Sequence, residues 1–238
     1  MLRDNPKVSV REVAKKIGLS LNGVQYHIRR IMSIIKILLL IAVVGHLLCG
    51  CCDCLLTYVP GGKKFGAKQL SDSKLMADTF EKMPLRNPLL SMLIGCLALF
   101  MCSFGYYGVF LWMKGFSDIY AVILLISAAL FLIIGTAHHI LCGVAEWLYV
   151  RMGRTEDAFN AVIKLFKDTS ITMIGCYLGW AVFGIALFIA VITGVTDIPR
   201  WACIFNIVPL FIITFPFHIG GMGNWCGAAM FAGLIFVI

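Results

Sequence analysis

The chain has 238 residues, of which 61% are hydrophobic and 13% are charged, and its formal net charge is +8. Soluble domains carry about 25% charged residues, so this composition excludes an ordinary soluble protein. Several apolar runs of about 18 residues or more predict membrane-spanning segments. Because the runs are continuous rather than alternating, they favour helices over a barrel. The predicted fold class is an all-α, polytopic transmembrane helical bundle.

Residues 1–31 differ in character from the rest of the chain. The stretch VREVAKKIGLSLNGVQYHIRRI predicts two short helices joined by a turn. The positions that define it are Ala14 in the first helix, Gly18 at the turn, Ser20 as N-cap, and Val24, Ile28 and Ile31 on the buried face of the second helix. This pattern resembles the helix-turn-helix of bacterial winged-helix regulators. The resemblance implies that four residues of the second helix face DNA: Asn22, Gln25, Tyr26 and Arg29.

The same segment is short for a DNA-binding domain. Residues 1–6 resemble the end of a preceding helix whose body is missing, and the chain enters a long apolar run at Ile34. So small a core would hardly stabilise itself. We therefore expect translation to start at Met32, with residues 1–31 a fusion remnant or a miscalled start. A membrane-tethered regulator and an inert extension are the alternatives.

From Met32 onward, six apolar runs predict six spans. They cover residues 33–58, 89–113, 118–148, 170–193, 201–219 and 223–238, each boundary to within about 2–4 residues. The third is long enough to tilt or to protrude from the membrane, since each helical residue adds about 1.5 Å. The last is shorter than the usual range of about 17–25 residues. Pro209 and Pro216 are expected to bend or break the fifth.

Positive charges predict how these spans are oriented. The loops at 59–88 and 149–169 carry ten lysines and arginines, whereas the opposite side carries three when counted from Met32. The positive-inside rule places both loops in the cytoplasm and the Met32 end outside, in the inner membrane of a bacterium. Nucleic acid is therefore not an expected partner of residues 1–31.

Both cytoplasmic loops contain a candidate amphipathic helix, at about 71–83 and at about 155–168. Thr155 is placed to cap the second, and Lys164 and Lys167 flank its apolar stripe. These features fit interfacial helices that lie on the anionic surface of the lipid bilayer. They fit equally well a cover that packs over the cytoplasmic ends of the spans.

Ionisable residues within the spans predict a polar layer on the cytoplasmic side. The odd-numbered spans run inward, and counting residues from their outer ends brings an acid and three histidines to one depth. Together with the start of the sixth span they form the candidate intramembrane site: Asp53, His138, His139, His218 and Asn224. His46, about 10 Å from Asp53 along the helix, and Glu146, at the solvated interface, are peripheral candidates. Intramembrane ionisable groups are functional candidates, with structural pairing of Asp53 and a histidine as the alternative.

Ten cysteines all lie within predicted spans. None belongs to a spaced framework in a soluble loop, so a disulfide scaffold is not expected. The tract from Cys49 to Cys54 holds four of them, and Cys49, Cys52 and Asp53 share one side of the helix. A thiolate metal cluster is one interpretation of this tract. Packing by small residues is the interpretation that we expect.

A second resemblance begins with the segment from Asp53 to Gly61, which contains two leucines, an aromatic residue and Pro-Gly. The Met-Pro-x-Arg stretch at 83–86, a histidine in a middle span and Gly-Gly-x-x-Asn at 220–224 complete it. Together they resemble a family of uncharacterised bacterial multi-pass membrane proteins, over residues 32–238. The resemblance implies no activity. The residues that it emphasises are Asp53, His139 and Asn224.

Three functions are compatible with these features. A small-solute or proton-coupled transporter would use Asp53 to bind a proton or cation beside His218 and the broken fifth span. A membrane-embedded enzyme that modifies lipid would bind one zinc ion through Asp53, His139 and His218, leaving a position for an activated water. A membrane-tethered regulator would need residues 1–31 in the cytoplasm. We expect an integral membrane protein with a polar Asp/His site near the cytoplasmic side, with the transporter as its first possible function and the other two as alternatives. Whether any reaction is catalysed stays open.

Overall fold

The computed structural model describes residues 10–18 and 20–238, and within them the fold is a helical bundle. The helices are α1 (Val10–Ile17), α2 (Leu21–Thr57), α3 (Ser73–Phe80), α4 (Arg86–Met113), α5 (Asp118–Arg151), α6 (Glu156–Asp168), α7 (Ser170–Ile192), α8 (Ile207–Thr214) and α9 (Met222–Val237). A small antiparallel hairpin after α2 pairs β1 (Tyr58–Val59) with β2 (Lys63–Lys64). Short 3₁₀ turns cover Gln69–Ser71, Arg200–Phe205 and Phe215–Phe217. The predicted all-α class is confirmed.

Within the described part of the chain, four helices are long and apolar enough to cross a membrane, namely α2, α4, α5 and α7. They correspond to the first four predicted spans, although α2 begins well before the predicted start at residue 33. The last two predicted spans are apolar but shorter, at Ile207–Phe217 and Met222–Val237. These short helices pack on each other, with α9 against α2 and α8 against α7.

The second helix of the N-terminal segment is the beginning of the first long helix, α2. Ser20 caps α2, because its Oγ accepts a hydrogen bond from the Gly23 amide at 3.1 Å, as predicted. Val24 is buried, whereas Ile28 and Ile31 are 39% and 57% exposed. This corrects the prediction that all three apolar residues are covered. The physical reason is that α2 runs straight through these positions instead of turning into an element that would cover them.

The predicted DNA-contact residues lie on the solvent side of this part of α2. All four are exposed: Asn22, Gln25, Tyr26 and Arg29. In the first helix Ala14 is buried, and Gly18 has a φ of 70° at the turn. The prediction for residues 1–6 falls outside the part of the chain that the structure describes.

Small residues let the long helices pack closely. Where α2 crosses α4, a Cβ built on Gly45 would lie 2.8 Å from the Ala98 carbonyl oxygen and 2.8 Å from the Cys102 amide nitrogen. Where α5 meets α7, a Cβ on Gly179 would lie 2.5 Å from the Phe131 amide nitrogen. Close backbone contact of this kind drives helix association in lipid, where burial of apolar surface contributes little. These crossings fix how α2 and α5 are positioned, and with them the polar side chains that both helices carry.

The fifth predicted span is broken at Asn206 and again at Pro216, but not at Pro209. Asn206 Oδ1 accepts a hydrogen bond from the Val208 amide (2.9 Å), and its Nδ2 donates to the Gly184 carbonyl oxygen of α7 (3.0 Å). Because this cap starts α8, Pro209 falls in the first turn, where a missing N–H costs nothing. Pro209 therefore does not break the helix, whereas Pro216 lies where α8 ends at Thr214 and the 3₁₀ turn begins, as predicted.

The hairpin, α3 and α6 form a cover over the C-terminal end of α5. Their common core contains buried side chains from each element: Val59, Met76, Phe80, Tyr149 and Val162. The predicted helices at 71–83 and 155–168 thus correspond to α3 and α6, and both turn apolar residues inward. Contact of their outer faces with lipid stays a prediction. The cover also brings the two lysine-rich loops to the same end of the bundle.

Arg154 joins this cover to the end of α5, and its replacement tests the contribution of the cover to stability. Its Nε donates to the Phe80 carbonyl oxygen (2.7 Å) and its Nη2 to the Met83 carbonyl oxygen (3.0 Å). Lysine keeps the charge but lacks the planar pair of donors. Arg154→Lys is expected to cost about 1.5–3 kcal/mol and to lower the melting temperature in detergent. The control is Arg151→Lys, at an exposed position. Equal melting temperatures of the two variants would contradict this role.

Candidate functional site

Asp53 of α2 and His139 of α5 face each other inside the bundle. Oδ1 of Asp53 lies 3.3 Å from Nδ1 of His139. The His139 side chain is 9% exposed and the Asp53 side chain 24%. The structure therefore brings together two of the residues that the depth argument placed in one layer. An acid and a histidine this close and this buried interact strongly through their charges and hydrogen-bonding atoms.

The hydrogen-bond partners of Nε2 determine which nitrogen of the His139 ring carries the proton. Nε2 faces the Ser91 carbonyl oxygen (3.0 Å) and the Ser91 Oγ (3.4 Å), and that hydroxyl donates its own proton to the Cys52 carbonyl oxygen (2.9 Å). Both neighbours of Nε2 are thus acceptors, so Nε2 carries the proton and the neutral ring presents a lone pair at Nδ1. Oδ1 of Asp53 is an acceptor as well. A proton or a cation is therefore required between Nδ1 and Oδ1.

Asn224 of α9 extends the network on the other side of Asp53. Its Nδ2 donates to Oδ2 of Asp53 (2.7 Å), and its Oδ1 lies 2.9 Å from Nδ1 of His46. His46 is 1% exposed and donates to Asn224, which corrects the prediction that it stands apart from the cluster. Asn224 of α9 connects His46 with Asp53, although the two residues are about 10 Å apart along α2. Every donor in this chain of hydrogen bonds points toward Asp53.

The turn before α9 places Asn224 beside the carboxylate. Gly221 has a φ of 70°, which favours glycine. A Cβ at this position would lie 2.8 Å from the Gly50 carbonyl oxygen and 3.0 Å from Cβ of Asp53. Glycine at 221 therefore permits α9 to begin in direct contact with α2.

Cys49 supplies a third candidate ligand, one helical turn before Asp53. Its Sγ, an Asp53 carboxylate oxygen and a His139 ring nitrogen all lie within 4.8 Å of one another. Tetrahedral zinc, with bonds of about 2.0–2.3 Å, separates its ligand atoms by about 3.3–3.8 Å. The 3.3 Å between Asp53 and His139 falls in that range. His139 also donates its other ring N–H to a backbone carbonyl, as metal-bound histidines usually do.

A cavity of about 520 Å³ opens beside these residues. Its size lies within the range of small-molecule sites, about 300–1,000 Å³. The wall combines aromatic and aliphatic side chains with a compact polar group and with further polar residues, among them Lys64, Glu146 and His218. The polar group comprises Cys49, Asp53, His139 and Asn224, and the aromatic residues include Phe65, Phe131, Phe166, Trp180 and Phe211. The site is therefore open to a ligand that has an apolar part.

His138 lies in the same wall but turns away from Asp53. Its Nδ1 is 3.2 Å from Thr172 Oγ1, and its Nε2 is 3.7 Å from Cys142 Sγ. Neighbouring helical positions project about 100° apart. Because His139 faces Asp53, His138 is directed to α7 and does not join the pair.

His218 lines the cavity but is not part of the ligand group, and Glu146 is buried rather than solvated. His218, predicted as the third zinc ligand, follows the 3₁₀ turn in a left-handed conformation with a φ of 47°. Its ring contacts Phe215, with centroids 5.6 Å apart, and its carbonyl oxygen accepts a hydrogen bond from Lys64. His218 thus lies in the wall of the same cavity, outside the group formed by Cys49, Asp53 and His139. Glu146 is 3% exposed, which corrects the prediction of a solvated residue at the interface.

Three rings of the site each lie against a glycine of a neighbouring helix. A Cβ on Gly95 of α4 would overlap Nε2 of His139. A Cβ on Gly227 would lie 2.7 Å from the His46 ring, and one on Gly50 would lie 2.9 Å from the Trp225 ring. The glycines therefore provide the space that the aromatic rings occupy.

Sequence reasoning missed Cys49 and Ser91 as members of the site. A signal for Cys49 existed, because it shares one side of α2 with Asp53 at a spacing of four residues. Packing was the interpretation preferred, since a helix face alone does not reveal which neighbour it meets. Ser91 gave no signal, because its main contribution is a backbone carbonyl that every residue has.

Comparison with protein families gives two matches. Residues 26–237 match DUF6796, described as a family of unknown function, and residues 1–33 match the winged helix-turn-helix DNA-binding family. Both resemblances noted in the sequence are thereby confirmed. No curated protein and no solved structure matches the chain. Because the first match covers most of its length, the chain belongs to DUF6796, a family of unknown function.

Proposed function

We propose that the protein is an integral membrane protein whose cavity holds a divalent transition metal, with zinc the best fit, on Cys49, Asp53 and His139. One observation carries the proposal: two acceptors, His139 Nδ1 and Asp53 Oδ1, face each other at 3.3 Å. A cation between them satisfies both lone pairs. The Cys49 thiolate completes a set of nitrogen, oxygen and sulfur ligands that zinc accepts.

The location of the protein is part of the same proposal. Four helices have the length and composition to cross a membrane. The loops at 59–88 and 149–169, which carry ten lysines and arginines, pack together at one end of the bundle. The positive-inside rule supports a cytoplasmic position for that end and an outer position for residue 32 of α2. The metal site then lies in the cytoplasmic half of the membrane.

The chemistry of such a centre follows from its ligand count. Three protein ligands leave a fourth tetrahedral position, which is available to the cavity. Zinc with an open position polarises a carbonyl or phosphoryl oxygen and lowers the pKa of a bound water to about 7. The apolar wall favours a substrate with a lipid-like chain. The proposed reaction class is therefore hydrolysis or group transfer on an amphiphile.

The metal content of two cysteine variants tests this proposal. Protein purified in a neutral detergent, loaded with zinc and washed is expected to retain about one zinc per chain by elemental analysis. Cys49→Ser is expected to lose most of it, because a serine hydroxyl is a much weaker zinc ligand than a thiolate. The matched control is Cys51→Ser, since Cys51 is exposed and belongs to the same tract but not to the ligand group.

Two results would overturn the metal proposal. One is a well-folded wild-type protein that retains no zinc. The other is equal zinc retention in the Cys49→Ser and Cys51→Ser variants, which would remove Cys49 from the ligand set.

A proton-coupled carrier is the second candidate, and the hydrogen-bond chain from His46 through Asn224 to Asp53 favours it. A proton between Asp53 and His139 satisfies the same two atoms as a metal. Cys49 distinguishes the two functions, because a shared proton needs no thiol. The carrier predicts a carboxylate infrared band that titrates with pH, disappears in Asp53→Asn, and is unchanged by zinc or by Cys49→Ser.

A further inference from the structure

Glu146 is a buried acid that the proposed metal centre does not use. Its side chain is 3% exposed, and Oε2 has no hydrogen-bond partner among the described residues. It nevertheless lines the same cavity as Asp53. Buried polar atoms in proteins are almost always paired, because an unpaired carboxylate in an apolar setting is strongly unfavourable. An acid that borders a cavity without a protein partner therefore points to a partner supplied by a ligand.

The basic groups around this end of the cavity are engaged elsewhere. Lys64, which also lines the cavity, donates to the carbonyl oxygen of His218. Arg154 donates to two backbone carbonyls at the end of α3. Lys164 is paired with Asp168 at 2.8 Å. Among the described residues, no ion pair within 4.0 Å reaches Glu146.

The surroundings of Glu146 indicate what kind of ligand fits. It lies on one face of α5 with His138 and Cys142, at spacings of four residues. The cavity wall also carries aromatic side chains, among them Phe65 and Phe166. An acid combined with aromatic faces is the combination that binds organic ammonium groups. Glu146 lies seven residues from His139 on the same helix, or about 10 Å.

We propose that the cavity binds an amphiphilic amine, with its ammonium group on the Glu146 carboxylate and its apolar chain along the aromatic wall. The cavity of about 520 Å³ has room for such a molecule. This inference does not depend on the metal, because Glu146 is not a member of the Cys49, Asp53 and His139 group. The amine is held about two helical turns from the polar centre.

Binding of decylamine, compared with that of decanol, tests the inference. The full chain is purified in a neutral detergent with a chelator present, so that no metal contributes. Decylamine at pH 7 is expected to bind at least about tenfold more tightly than decanol, by thermal shift or calorimetry. Glu146→Gln, which keeps the shape of the side chain, is expected to remove this preference. The matched control is Glu81→Gln, whose acid is 68% exposed and should leave the preference unchanged.

A second measurement needs only the wild-type protein. Dicyclohexylcarbodiimide, which enters apolar sites and modifies carboxyl groups, is expected to label Glu146, and peptide mass spectrometry locates the label. Decylamine is expected to protect Glu146, and decanol is not. Equal binding of decylamine and decanol to the wild type would overturn the proposal. Equal protection by the two compounds, or an amine preference that survives in well-folded Glu146→Gln, would overturn it as well.

Discussion

Replacing Gly95 with alanine is expected to expel the His139 ring from its position and to destabilise the bundle by about 1–3 kcal/mol. The added Cβ would overlap Nε2 of His139. The ring has little freedom to yield, because Nε2 donates to the Ser91 carbonyl oxygen and Nδ1 faces Asp53. Alanine has the higher helix propensity, by about 0.5–1 kcal/mol, but the overlap is expected to outweigh this gain. Thermal unfolding in detergent should show a melting temperature several degrees lower, and zinc retention should fall with it.

The control for this experiment is Gly223→Ala. A Cβ on Gly223 has no atom within 4 Å, although the residue is next to Asn224 of the site. This variant should match the wild type or melt slightly higher, because alanine is the better helix former. If Gly95→Ala also melted at the wild-type temperature and retained zinc, the close packing of His139 against α4 would be refuted.

Replacing Asp53 with asparagine is expected to abolish metal binding while leaving the fold almost unchanged. The amide oxygen can accept the hydrogen bond that Asn224 Nδ2 now donates to Oδ2. The amide N–H can donate to Nδ1 of His139, which presents a lone pair when Nε2 is protonated. The hydrogen-bond network is thus completed by a neutral side chain. Elemental analysis should find little zinc in Asp53→Asn, and its melting temperature without metal should lie close to that of the wild type.

His139→Ala provides the contrast. This variant also removes a ligand, but in addition it leaves a buried cavity. The Ser91 carbonyl oxygen also loses the hydrogen bond that the ring N–H of His139 donates to it. It should therefore be destabilised in the absence of metal, by at least about 1–3 kcal/mol. A melting temperature for Asp53→Asn as low as that for His139→Ala would show that the negative charge of Asp53 itself stabilises the fold. Asp53 would then be a structural partner of a charged histidine.

The long helices were predictable because continuous apolar runs identify them without knowledge of their neighbours. The first long helix begins before the predicted span at residue 33 for a physical reason: residues 21–57 contain no proline, so the helix continues across the change of polarity near Met32. The break at Asn206 was harder to find. It depends partly on a hydrogen bond to the Gly184 carbonyl of another helix, which no local pattern reveals.

The depth of the candidate site residues along the spans was predictable from the sequence, whereas the orientation of their side chains was not. Residue counts along the spans brought Asp53, His139 and Asn224 to one layer, and the structure places them in contact. Depth alone did not show that His139, and not His138, faces Asp53, because this depends on the rotation of α5 about its axis. It also did not detect the left-handed turn at His218, a residue that lines the cavity but lies outside the group of Cys49, Asp53 and His139.

The glycines that accommodate the rings of His139, His46 and Trp225 also make the site preorganised. Each ring is held between two helices, so its rotamer is already fixed during folding and binding orders little further. In the proposed metal centre, a cation would meet a His139 ring that is already oriented by its packing against Gly95. Calcium needs longer bonds and six to eight oxygen ligands, and magnesium keeps an octahedral shell with several waters. The proposed group of one sulfur, one oxygen and one nitrogen would satisfy neither, so the packing that orients His139 would also favour a transition metal over these two ions.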